Sequence, residues 1–449
     1  MNNTTLIHNA IIVNEGTRFQ GYIVIENEYI KEIGRGAAPA HLLNDSINIH
    51  DAEGAYLLPG GIDDQVHFRD PGLTHKADMA TESRAAVAGG ITSFMDMPNT
   101  IPQTVTLEAL DDKHRRAAEV SVANYSFYIG ATNDNIDTLL ACDYTKVPGV
   151  KLFLGASTGN MLVDNCESLN RIFAEVPALI AIHSEDEDII RRNREVMIEK
   201  YGEDIPVEEH PNIRSAEACY KSSLKAAEMA RKHGARLHIL HISTADEMQL
   251  LSNEPLKDKK ITAEVCAHHL WWIADDHATL GARIKWNPAI KTDKDRQALR
   301  DGLNNGLIDI VATDHAPHLL SEKQGGAIKA TSGAPLVQYS LPMMLQLADE
   351  GVFTIEQVVD FMAHRVAQLF SIEKRGYIRE GYYADLTIVK PNEQYTVKDE
   401  DVLSRCGWTP LAGTTLNNKV ISTYVNGQRV FHKGTIDDSV HGKALKFTI

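Results

Sequence analysis

Five short apolar runs each carry an ionisable residue at or near the C-terminal end. His67 falls in GIDDQVHF, Lys151 in GVKLFLG and His183 in ALIAIHS, while His241 falls in ARLHILHIS and Asp314 with His315 in DIVATDHA. Histidines, a lysine and a carboxylate are costly to bury together unless something neutralises them. A divalent metal would do so, and imidazole and carboxylate ligands suit zinc or a similar borderline ion. Each residue alone has a plainer reading. A strand-end histidine can be a hydrogen-bonded core residue, Lys151 can reach along its stem to the rim, and Asp314 can cap a following helix. Their joint occurrence at equivalent ends is what points to one pocket.

The elements that would position them follow a regular alternation. Between 57 and 369, short apolar runs alternate with helical patterns at 80–88, Leu107–Val120, 168–176 and Ala216–His233, the last closed by Gly234. About eight strands, most followed by a helix, predict a (β/α)8 TIM barrel, whose parallel strands open their C-terminal ends on one face. Both chain ends read as β instead. LIHNAIIVN and GYIVIENEYIKEIG near the start, ADLTIVKP and NNKVISTYVNGQRVFHKG near the end, alternate β-branched or aromatic with polar residues. The Asn-Gly pair in the last run signals a hairpin turn. The expected organisation is a small composite β-sandwich domain built from both termini (1–56 and 371–449) around a barrel at 57–370.

Composition narrows the function classes. The 449 residues are 43% hydrophobic and 24% charged, ordinary for a globular protein, and the net charge of −16 argues against nucleic-acid and anionic-membrane partners. No apolar run approaches the ~20 residues that span a bilayer, and the first residues do not read as a secretory signal. Cys142, Cys166, Cys219, Cys266 and Cys406 are scattered and odd in number, as expected of reduced thiols in a cytoplasm.

The motif GGIDDQVHFRDPGLTHKADMATESRAAVAGGITSFMDMPNT, followed in order by GVKLFLGASTGN, AIHSED, LHILHIST, AEVCAHHL, KWNPAIK and ATDHAPH, resembles the dihydroorotases of the amidohydrolase superfamily. The resemblance covers nearly the whole chain. It implies that Lys151 is carboxylated and bridges two zinc ions, with His183 and His241 on the more buried metal and His67 and Asp314 on the more exposed one. It also implicates Asn99, Asn287 and His318 in holding substrate, and it implies a homodimer and an association with aspartate carbamoyltransferase. Two positions depart from the pattern. Gln65 stands where the family usually has the first histidine of a His-x-His pair, and a neutral amide oxygen is a weaker ligand. Lys291 replaces an arginine and loses its forked geometry. His268 and His269 match the family's His-His-Leu as residues that orient neighbours in the pocket wall.

The expected chemistry is reversible cyclisation of N-carbamoyl-L-aspartate to dihydroorotate in pyrimidine biosynthesis. Asp314 would act as general base towards water and then as general acid towards the ring nitrogen, and Arg69 would pair with the substrate carboxylate. Two other readings stay open: a hydantoinase or allantoinase acting on another cyclic ureide, and an inert barrel that serves as a partner-binding subunit. The segment 319–332 reads either as a loop that moves beside the site or as a solvated connection. Glu208-Glu209-His210 reads as a polar loop before Pro211.

Overall fold

The computed structural model describes residues 4–44, 46–154 and 161–448, so the end of the GVKLFLGASTGN motif, 155–160, lies outside the described residues. Parallel strands follow one another around a barrel. Gly61–Val66 pairs with Ile91–Asp96, and that strand pairs with Asn124–Phe127. The chain continues into Ile129–Gly130, which pairs with Val150–Phe153, and the series runs on through Ile180–His183, Leu237–Ile239, Ile261–Cys266 and Ile310–Ala312. Closure comes from a parallel bridge between Val66 and His315, where the His67 N–H donates to the His315 carbonyl at 2.7 Å. These strands are almost wholly buried, as parallel strands covered on both faces must be.

Helices begin where side chains can cap them. Asp78 accepts from the Thr81 N–H at 2.8 Å to start Met79–Ala88, and Ser215 caps Ala216–His233, which ends on Gly234 at φ 70°. The strands are shorter than the apolar runs that announced them. In ITAEVCAHH the strand stops at Cys266 and a short helix, Ala267–Trp271, takes the two histidines. Asp314 lies two residues past its strand at φ 46°, while Arg69 and His241 have φ 63° and 40°. Left-handed backbone is sparsely populated for such residues. Here it ends three strands by turning them sharply at the mouth of the barrel.

Strands from both chain ends interleave in one nine-stranded sheet. Thr4–Asn14 runs antiparallel to Thr17–Glu26 and parallel to Asn48–Asp51 and Tyr56–Pro59, and Tyr56–Pro59 pairs antiparallel with Leu386–Lys390. The Asn-Gly signal forms the turn between Lys419–Val425 and Gln428–His432, with φ of 50° and 78° at Asn426 and Gly427.

A buried ion pair carries the fold into the site. Asp96, at the end of the second barrel strand, accepts from the Phe68 N–H at 2.8 Å and pairs with Lys113 from the helix Leu107–Val120. Lys113 also donates to the Met97 carbonyl at 3.1 Å, and neither side chain is more than 1% exposed. Phe68 lies between His67 and Arg69, so this pair anchors the loop that carries both. Replacing Lys113 with methionine strands a buried carboxylate. It is expected to destabilise the fold by about 3–5 kcal/mol, read as a lower urea midpoint at an unchanged slope.

Candidate active site

A cavity of about 480 Å³ opens at the C-terminal face of the barrel. His67, Lys151, His183, His241 and Asp314 all line it, as do Arg69, Asn99, Asn287 and His318. The side chains proposed from sequence are therefore brought together, although they come from seven barrel strands and the loops that follow.

The candidate ligands form two pairs. His67 Nε2 stands 3.1 Å from Asp314 Oδ1, and His183 Nδ1 stands 3.0 Å from His241 Nε2. Neighbouring groups set the tautomers. The His67 Nδ1–H donates to Asn99 Oδ1 at 2.8 Å, which leaves Nε2 turned to Asp314. The His183 Nε2–H donates to Glu185 at 3.0 Å, which leaves its Nδ1 lone pair facing His241. With that tautomer the His241 Nε2–H donates to His183 Nδ1, and His241 Nδ1 is buried with no hydrogen-bond partner. Three imidazoles and a carboxylate converging on one cavity are a donor set that fits a metal centre.

Lys151 belongs to both pairs. It is 1% exposed, its ammonium lies 4.7 Å over the Phe153 ring, and it acts electrostatically on His183, His241 and Asp314. Burial pushes its pKa down to about 7, with Asp314 opposing. Gln65 takes the place of an imaginable third imidazole beside Asp314. Its Nε2 donates to Asp314 Oδ1 at 3.4 Å, and its Oε1 accepts a long contact from Cys266 Sγ at 3.8 Å.

Several site residues escaped the sequence reading. Glu185 is wholly buried and pairs with Arg214; burial acts to raise its pKa, but Arg214 and the His183 hydrogen bond together hold it at about 2. Its signal lay in AIHSED, two residues past a candidate ligand. Arg194, Arg214, Lys285 and Lys329 also line the cavity. Among the described residues that line it, Asp314 is the one carboxylate, so the cavity is strongly basic within a chain of net charge −16. Lys285 is pushed down to about 8, by burial first and then by Arg214. His210 is buried and lines the cavity with Nε2 2.8 Å from the Trp286 carbonyl, so it is part of the wall and not of a polar loop. His315 turns away: Nε2 meets Glu82 at 2.8 Å, and Nδ1 accepts from the Leu336 and Val337 N–H groups.

The segment 319–332 forms one wall. Its buried Lys323 donates to the carbonyls of Lys285, Thr331 and Gly333 at 3.2, 2.8 and 2.7 Å. Trp408 Nε1 ties the His318 carbonyl at 2.8 Å. The Arg69 Nε–H donates to the Pro317 carbonyl at 3.1 Å, and its Nη2 meets His318 Nε2 at 3.0 Å. Burial, then the charges of Arg69 and Lys76, hold His318 neutral.

The model of the Amidohydrolase family matches residues 56–430. A dihydroorotase of Methanosarcina acetivorans is 34% identical over 404 residues, covering 87% of this chain and 84% of that protein. A dihydroorotase of Lactobacillus johnsonii is 30% identical over 440 residues, 96% of this chain and 100% of the relative. Among solved structures, the L-hydantoinase (dihydropyrimidinase) from Arthrobacter aurescens matches with a TM-score of 0.90 at 25% identity, covering 97% of this chain and 98% of that one.

The Glu185 carboxylate is the group that presents His183 Nδ1 to the centre of the cavity. Glu185→Gln keeps the shape and removes the charge. It is expected to weaken zinc binding about 10–100-fold, measured by competition with a chromophoric chelator.

Proposed function

The chain belongs to the amidohydrolase family, and on that premise we propose that it is a dihydroorotase that interconverts N-carbamoyl-L-aspartate and dihydroorotate. The observation that carries this reading is the basic cavity. Dihydroorotate carries a carboxylate, whereas simple hydantoins and dihydropyrimidines do not, and a neutral ring would gain nothing from so many cations. The curated relatives named dihydroorotase support the same reading. Zinc as the metal, carboxylation of Lys151, a homodimer associated with aspartate carbamoyltransferase and a cytoplasmic location belong to the proposal on the family resemblance. Among the described residues no helix is long and apolar enough to cross a membrane.

His67, His183, His241, Asp314 and carboxylated Lys151 would hold one or two divalent ions. Bound there, the metal supplies Lewis acidity and a water acidified towards neutral pH. Lys151 is suited to its part, since an amine with a pKa near 7 is substantially neutral at physiological pH. Its nitrogen forms a bond to CO2, and one proton is released as the carbamate forms.

The remaining steps belong to this chain's own groups. Arg69, fixed by the Pro317 carbonyl and His318, receives the substrate carboxylate. Asn287 Oδ1 is buried without a partner and accepts from a ring N–H. In the hydrolytic direction, water oxygen bonds to the ring amide carbon as Asp314 removes its proton. The C–N bond then breaks, and Asp314 returns the proton to the leaving nitrogen. Cyclisation runs the same path in reverse with loss of water. Asn99 keeps His67 in its tautomer and so acts by positioning.

Gln65 is the observation that favours an inert, partner-binding barrel, and turnover decides between the two. Zinc-supplemented protein is expected to interconvert dihydroorotate and carbamoyl aspartate, to leave hydantoin untouched, and to lose turnover in Lys151→Ala. A metal-loaded, folded sample with no turnover overturns the proposal. Arg69→Gln is expected to lower kcat/KM about 10–100-fold, mostly through KM. That range is the loss of about 1.5–3 kcal/mol of charged hydrogen bonding, and steady-state kinetics on dihydroorotate would show it.

A further inference from the structure

Beside Gln65, outside the residues that line the cavity, lies a second group of metal-ligating side chains that the proposed reaction does not use. Cys266 ends the seventh barrel strand and caps the short helix Ala267–Trp271, so Cys266, His268 and His269 share one tight turn. One ligand atom from each lies within 4.8 Å of the others, and all three residues are buried.

Their polar atoms are poorly used. The His269 Nε2–H donates to the Pro288 carbonyl at 3.2 Å, which leaves the lone pair on Nδ1, and Nδ1 is buried without a partner. That is the arrangement by which a protein presents an imidazole to a metal. His268 is 0% exposed and stacks on Trp286 with ring centroids 4.1 Å apart. The Thr313 backbone faces its ring, yet neither ring nitrogen completes a hydrogen bond of good geometry. Leaving such atoms unmatched in a dry interior is costly. Cys266 Sγ has its long contact to Gln65 Oε1 at 3.8 Å. Burial holds both imidazoles neutral and raises the thiol, and Glu264 and Asp314 raise the thiol further. A cation at this point would relieve the field of those carboxylates.

We infer that Cys266, His268 and His269 form a separate binding site for a thiophilic divalent metal ion of the zinc class. Thiolate with two imidazoles selects such ions over hard, oxygen-seeking cations. Binding forms a metal–sulfur bond and releases the thiol proton to solvent. Gln65 Oε1 contacts the Cys266 sulfur and would be the fourth ligand, and its Nε2 already touches Asp314. The site would therefore be joined to the reaction centre through one amide. The inference does not depend on the proposed reaction, because His67, Lys151, His183, His241 and Asp314 carry no sulfur.

The test uses full-length protein expressed in zinc-depleted, cobalt-supplemented medium, so that the ion is present while the barrel folds. Wild type is expected to show a thiolate-to-cobalt charge-transfer band in the near ultraviolet. The band should persist in the combined variant Cys142→Ser, Cys166→Ser, Cys219→Ala and Cys406→Ser, which keeps Cys266 as its sole thiol. It should vanish in Cys266→Ser, together with about one equivalent of bound cobalt. A band that survives Cys266→Ser overturns the inference. So does a wild type without the band, whatever the folding of the variants.

Discussion

Everything at the mouth of this barrel answers to one constraint: three imidazoles and a carboxylate are held in two contacts of about 3 Å within one largely buried cluster. His67 Nε2 meets Asp314, and His183 Nδ1 meets His241. Burying so many polar groups together is costly unless each is hydrogen-bonded or paired. Such an arrangement persists only when surrounding groups leave its members no other orientation. The supporting contacts do that, one tautomer at a time. Asn99 fixes His67, and Glu185 with Arg214 fixes His183.

A further layer of contacts fixes the backbone beneath. The Asp63 carboxylate, pushed up to about 8 by burial, accepts from the Thr313 hydroxyl at 2.6 Å and from the Gln65 N–H at 3.2 Å. It thereby sews the first strand to the last, next to both Gln65 and Asp314. Asp96 and Lys113 do the same for the loop behind His67. Left-handed backbone at Arg69, His241 and Asp314 costs of order 1–3 kcal/mol per residue, and these three are the places where strands must stop and deliver a side chain into the cavity. The stability of the barrel and the geometry of the site are thus held by the same bonds.

What the sequence showed and what it hid follow from this division. Residues placed at the ends of apolar runs were legible, because in a strand-then-helix alternation the C-terminal ends of the parallel strands share one face. The helices Leu107–Val120 and Ala216–His233 were legible for a similar reason: each has a capping side chain and one apolar face. Arg194, Arg214, Lys285 and Lys329 were not. They reach the cavity from loops and helices whose local sequence says only that the surface is charged. Glu185 lies two residues before the helix that begins at Glu187, where an acidic residue is ordinary. Its service to His183 depends on a ring orientation that no spacing encodes. The strand ending at Cys266 is shorter than its apolar run, since VCAHH keeps its apolar and aromatic character while the backbone turns into a helix.

Charge distribution supplies the last step of the reasoning. A surface of net charge −16 repels anions on average, so a dicarboxylate reaches this protein against the mean field. The cavity reverses the sign locally, with Arg69, Arg194, Arg214, Lys285 and Lys329 around one carboxylate. Arg214 is already matched by Glu185 and Lys329 by Asp204, and Arg69 is hydrogen-bonded to neutral groups, the Pro317 carbonyl and His318. A buried guanidinium hydrogen-bonded only to neutral partners favours an anion that brings its own oxygens. The residues around the metal ligands then act on the ring, while Arg69 acts on the substituent that tells this ring from a simple hydantoin. Gln65 fits the same logic. Its amide can donate to Asp314 and accept from Cys266 at once, whereas a neutral imidazole in that position could do both only through opposite ring atoms.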